Sequence, residues 1–84
     1  LNRKQRDWRD VLGTFTQVEI DQIPCPSCQL PVLEYQYQAN CHLLFVWCEP
    51  CAEGTSIGQV REPYNKKKDQ AKKIPNFQMV VHMN

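Results

Sequence analysis

Two C-x-x-C pairs constrain this chain more than any other feature: Cys25-Pro-Ser-Cys28 and Cys48-Glu-Pro-Cys51, with nineteen residues between Cys28 and Cys48. Two thiolates three positions apart in a tight turn converge on one tetrahedral metal ion, and a second such pair completes a four-sulfur shell. The separation lies within the range expected of two knuckles sharing one zinc ion. Pro26 suits such a turn because its ring fixes φ, and Gly54 suits a chain leaving the turn at positive φ. Cys25, Cys28, Cys48 and Cys51 are therefore the expected ligands of one structural Zn2+.

Other readings of the cysteines fit less well. A thioredoxin-like redox pair needs one C-x-x-C in a βαβ setting, not two pairs flanking a hairpin. A secreted disulfide scaffold usually has an even number of cysteines, and this chain has five. Four thiolates bind iron as well as zinc, so ligand type leaves that choice open, although rubredoxins space their knuckles further apart. Cys41 and His42 fall in the turn Ala39 to His42. The seven residues from Cys41 to Cys48 span about 23 Å if extended, at roughly 3.3 Å per residue, which puts that turn at the far end of the hairpin from the metal. Cys41 is thus expected to be a bystander thiol in a reducing, cytoplasmic setting. His82 is expected to be a solvated histidine in a C-terminal tail.

At 84 residues the chain makes one small domain with little core of its own. Its longest apolar run, Leu43 to Trp47, is far shorter than the ~18 residues of a membrane span. The formal net charge of +1 says little, but its distribution says more. Arg3, Lys4, Arg6 and Arg9 stand at one end, and Lys66, Lys67, Lys68, Lys72 and Lys73 near the other. Between Asp10 and Val60 there is no lysine or arginine, whereas Asp10, Glu19, Asp21, Glu34, Glu49 and Glu53 make six acids in that stretch.

Residues 2 to 20 read as an amphipathic helix. Asn2 and Gln5 have capping-box spacing, and Trp8, Val11, Leu12, Phe15 and Val18 share one face. Gly13 lowers its propensity, and Ile23-Pro24 ends the element. The apolar stripe is expected to cover one side of the sheet rather than to bind a partner. Val32 to Gln38 alternates as a strand, and Leu43 to Trp47 is apolar on both faces, as a central strand is. Ser56 to Arg61 is the expected third strand. Asn76 to Val81, with Phe77, Met79 and Val81 on one face, is a candidate edge strand. The expected organisation is a helix over 1–22, a metal-bearing unit over 23–63, a basic linker over 64–75 and a strand or tail over 76–84.

Two knuckles around a three-stranded antiparallel sheet make a zinc ribbon, so the expected fold is a small zinc-stabilised α+β unit with the helix packed on that ribbon. The run WCEPCAEGTSIGQVREP resembles short bacterial zinc-ribbon proteins with the pattern Trp-Cys-x-x-Cys-x-x-Gly, a short strand, then proline. Trp47, Cys48, Cys51, Gly54 and Pro63 match it, and the resemblance extends over roughly residues 11 to 63. Those proteins often carry Ser-Arg in the third strand, where this chain has Gly58-Gln59. The resemblance implies the fold and carries no particular function.

Three function classes follow. Catalysis is not expected, because four thiolates close the zinc shell and leave no position for a reacting water. Nucleic-acid binding would use the basic ends together with Tyr35 and Tyr37 as stacking surfaces. Against it, zinc with four thiolates adds a net negative charge to a central segment already rich in carboxylates. Protein binding is the expectation that fits best: an acidic ribbon meeting a basic protein partner, as an adaptor or immunity-type inhibitor does, since complementary charge speeds encounter and selects the partner.

Overall fold

Asn2 starts the first element by the reciprocal exchange its spacing predicts. Its Oδ1 accepts from the Gln5 backbone N–H at 2.8 Å, and Gln5 Oε1 accepts from the Asn2 N–H at 3.0 Å. Two donors that a helix start leaves unpaired are thereby satisfied. The computed structural model describes residues 2–15, 22–61 and 74–83. Helix α1 runs over Arg3–Phe15 and buries Trp8, Val11, Leu12 and Phe15. The expected continuation of the helix through residues 16 to 20, Val18 included, lies outside the described residues.

Four strands follow: β1 (Leu33–Gln38), β2 (Leu43–Cys48), β3 (Glu53–Ile57) and β4 (Gln78–Met83). They form one sheet in the order β1-β2-β3-β4. The first two pairings are antiparallel, and β4 lies parallel to β3. The fold is thus a small α+β unit with a four-stranded mixed sheet, which corrects the expected three-stranded antiparallel ribbon. The candidate edge strand exists but is shifted to Gln78–Met83, and its first residue donates from its N–H to the Ala52 carbonyl at 2.8 Å. A register shift opposite Gly54/Thr55 leaves Val80 as an extra residue in the ladder. Met79 and Val81 are therefore not equivalent, contrary to the alternation read from the sequence. Met79 is 42% exposed, whereas Val81 is buried.

The third strand also differs from expectation, beginning at Glu53 instead of Ser56. Pairing of Cys48 with Glu53 makes 49–52 the turn, so the chain enters the sheet as soon as the knuckle ends. Gly54 is poor strand material by propensity although Thr55 is favourable, and the burial of the Thr55 and Ser56 hydroxyls is made tolerable by hydrogen bonds. Thr55 Oγ1 donates to the Val81 carbonyl at 2.6 Å, and Ser56 Oγ lies 2.5 Å from His82 Nδ1. Buried hydroxyls with partners cost little.

The sheet has two unlike faces. Leu33 from β1, Leu44, Val46 and Cys48 from β2, and Val81 from β4 build the core with α1, and Tyr35 and Tyr37 pack against it. The helix crosses β3 and β4, and Phe15 meets the Tyr35 ring edge-on at 5.0 Å between centroids. On the opposite face Trp47 is buried, with Phe77 stacked on it at 6.0 Å and an interplanar angle of 14°. Val46 and Trp47 are both fully buried, so β2 is covered on both sides, as its unbroken apolar run requires. The basic linker lies almost wholly outside the described residues. Among the described residues, no helix is long and apolar enough to cross a membrane.

Candidate metal centre

Each knuckle is a turn closed by its own backbone. In the first, the Gln29 N–H donates to the Cys25 carbonyl at 2.7 Å, and the Cys25 N–H to the Leu30 carbonyl at 3.0 Å. In the second, the Ala52 N–H donates to the Glu49 carbonyl at 3.1 Å. In both, the residue immediately after the second cysteine takes a left-handed conformation, Gln29 at φ 61° and Ala52 at φ 53°. The expected positive φ at Gly54 is thus realised two residues earlier. Gly54 is needed for a different reason: a Cβ there would lie 2.6 Å from the Val46 carbonyl oxygen, 2.6 Å from Phe77 and 2.7 Å from Trp47 Cβ. Glycine lets the Trp47–Phe77 stack sit down on β3.

These turns bring the four expected ligands together. The Sγ atoms of Cys25, Cys28, Cys48 and Cys51 all lie within 4.8 Å of one another. Cys25 to Cys51 is 3.9 Å and Cys28 to Cys48 is 3.8 Å. A tetrahedral ion with metal–sulfur bonds of about 2.3 Å requires sulfur–sulfur edges of about 3.8 Å. A disulfide requires about 2.05 Å, and all four cysteines are free thiols. The set is therefore arranged to bind a metal ion. Cys25 and Cys48 are buried, while Cys28 and Cys51 reach the surface in part.

The thiols facing each other across the centre are tuned in opposite senses. The Leu30 backbone amide pulls Cys28 below the ordinary thiol range, whereas burial pushes Cys48 well above it. Thiolates are the metal-binding form, so loading this site with a metal ion would release thiol protons. Four sulfurs would complete a tetrahedral shell.

Glu53 adds a contact between the knuckles. Its Oε1 accepts from Ser27 Oγ at 2.7 Å, and its Oε2 accepts from Lys4 Nζ at 2.5 Å. These bonds, Lys4 first, hold the carboxyl below the usual carboxylate range. Ser27 did not stand out in the sequence and Lys4 did so only as one of a basic cluster, because both meet Glu53 only through tertiary structure. The acids of the expected contact face are accordingly dispersed. Glu49 is exposed at the tip of the second knuckle, Glu53 is engaged by Lys4, and Glu34 pairs across the sheet with Trp47 on the face away from α1.

The remaining candidates stay out of the cluster. Cys41 is exposed in the 39–42 turn, with its sulfur 3.5 Å from Gln38 Oε1. His42, at φ 53°, places Nδ1 3.1 Å from the Tyr37 hydroxyl. His82 belongs to β4 rather than to a tail, and its side chain is anchored to Ser56. Tyr37 also donates to the Val60 carbonyl at 2.7 Å, and Tyr35 lies against Phe15, so neither ring stands free as a stacking platform. No protein-family model, no curated protein and no solved structure matches the chain, so the four-sulfur centre itself is what defines it.

Proposed function

We propose that this chain is a non-catalytic zinc-ribbon module whose metal is structural and whose acidic surface binds a basic protein partner. The observation that carries this reading is the four-sulfur cluster, with edges of 3.8 and 3.9 Å that suit a tetrahedral Zn2+. Zinc is favoured because a closed thiolate tetrahedron suits a metal with no redox role. Zinc and four thiolates leave a net negative charge, and Glu49 stands exposed beside Cys48. Leu30, two residues from Cys28, is 53% exposed. An acid and an apolar side chain thus flank the Cys28–Cys48 edge, a combination suited to a partner with a cationic rim around an apolar contact.

A second reading rests on a different observation. Arg3, Arg6 and Arg9 are exposed along α1, and among the described residues they form no ion pair. They could meet phosphates, although Tyr35 and Tyr37 are turned into the core and the lysines at 66–73 lie outside the described residues. The test is co-purification from the native host with the tagged chain, followed by charge reversal. Glu49→Lys is expected to abolish binding of the recovered partner, mainly through slower association, with the zinc content unchanged. Tight binding of the unmodified chain to DNA or RNA at ~0.15 M salt, tightened further by Glu49→Lys, would establish the phosphate reading instead.

A further inference from the structure

Glu53 opens β3 two residues after Cys51, and its carboxylate is held from two directions. Ser27, the donor on one side, lies inside the first knuckle between Cys25 and Cys28, and its own N–H points at Cys25 Sγ at 3.4 Å. Lys4, the donor on the other side, lies in the first turn of α1. One side chain therefore joins the strand leaving the second knuckle, the interior of the first knuckle and the helix. Apart from the thiols themselves, the Ser27–Glu53 bond is the only polar contact seen between the two knuckles among the described residues.

We propose that Glu53 is a positioning residue of the metal centre: through Ser27 it holds the first knuckle in ligand geometry, and through Lys4 it ties α1 to that centre. The inference rests on the four sulfurs holding a metal and is independent of the partner. A carboxylate this close to four thiolates would be repelled, and Lys4 offsets that repulsion by placing its ammonium group against Glu53 with Cys51 also in its field. Ser27 then lends Glu53 its hydroxyl, which fixes the turn carrying Cys25 and Cys28. Groups that hydrogen-bond around a metal's ligands typically change its affinity 10- to 100-fold when removed. Lys4 is half-exposed although Glu53 is largely covered, so the pair contributes mainly by placement, since ion pairs open to solvent add little stability on their own.

The test uses the full chain loaded with one zinc ion and follows zinc release into excess chromophoric chelator. Ser27→Ala and Glu53→Ala are each expected to speed release about 10- to 100-fold. The double variant should be no faster than the faster single one, because both changes break one bond. Val81→Ala, a core change in β4 at a residue that takes no part in the Ser27–Glu53–Lys4 bonds, should lower the melting temperature yet leave release within about threefold of the unmodified chain. Zinc release from Glu53→Ala no faster than from Val81→Ala would overturn the positioning role while leaving the metal centre in place. A chain that takes up no zinc would overturn both.

Discussion

The two knuckles are alike in their turns and unlike in their supports. Each buries its first cysteine, leaves its second half-buried and follows it with a left-handed residue. The second knuckle, however, is the turn of a β-hairpin, with Cys48 and Glu53 paired on either side of it. Its geometry is dictated by strands whose side chains fill the core. The first knuckle has no such frame. It lies between Ile23-Pro24 and the start of β1, closed by two backbone bonds and by Ser27's contact with Glu53. One knuckle is templated by the sheet, and the other is assembled by whatever binds its sulfurs. The asymmetry implies that metal loss is felt first at residues 25–30.

The largest expected effect tests whether the knuckles are equivalent as ligands. Cys25→Ser, Cys28→Ser, Cys48→Ser and Cys51→Ser should each lose the metal and the fold, because small four-ligand zinc sites contribute an apparent ~10–16 kcal/mol to folding. Elemental analysis and a melting curve read this directly, and Cys41→Ser should behave as the unmodified chain. Retention of metal by either single variant of the second knuckle would show that the sheet holds its remaining thiol well enough alone, sharpening the contrast.

Next comes the frame. Phe15→Ala should cost about 3–5 kcal/mol, as for a buried aromatic. Because α1 rests on β3 and β4, amide exchange should rise in β3 more than in the first knuckle. Equal rises would mean that the helix supports both knuckles alike. Gly54→Ala attacks the same frame from the other face and should cost about 1–3 kcal/mol, since the added methyl meets a carbonyl oxygen that cannot move aside. The smallest effect is also the most symmetric. Gln29→Gly and Ala52→Gly should each stabilise by about 1 kcal/mol or less, relieving left-handed strain against a more flexible unfolded chain. A gain at one and a loss at the other, read from paired melting curves, would break the likeness of the turns.

The parts legible in the sequence were those governed by short-range rules. The knuckle spacing, the capping pair Asn2/Gln5, the helical stripe from Trp8 to Phe15 and the hairpin β1–β2 all follow from patterns within a few residues. The parts that were not legible depend on distant partners. Gly54-Thr55-Ser56 has only Thr55 as a strand former and forms a strand because Val81, His82 and the Trp47–Phe77 stack accept it. The direction of β4 and its bulge depend on a connection whose course no local pattern specifies. The left-handed residues fell on Gln29 and Ala52 although a glycine stood nearby, because turn closure sets the position of that residue and side-chain packing claimed the glycine. The Lys4–Glu53–Ser27 bridge spans 49 residues between its charged ends and leaves no periodic trace.

The packing of α1 against β4 bears on the order in which the chain can fold as it is made. Gln5 in the helix donates from Nε2 to the Val80 carbonyl across 75 positions. Drawing together ends that far apart costs on the order of 4 kcal/mol in loop entropy. During synthesis the helix emerges with its apolar stripe uncovered, and the strand that completes its seat emerges tens of residues later. Closing the four-sulfur centre early would shorten the remaining search, because it fixes β3 before β4 arrives. A chain released after Pro63 is therefore expected to bind zinc and form the β1–β2 hairpin, with the helix lacking its second neighbour.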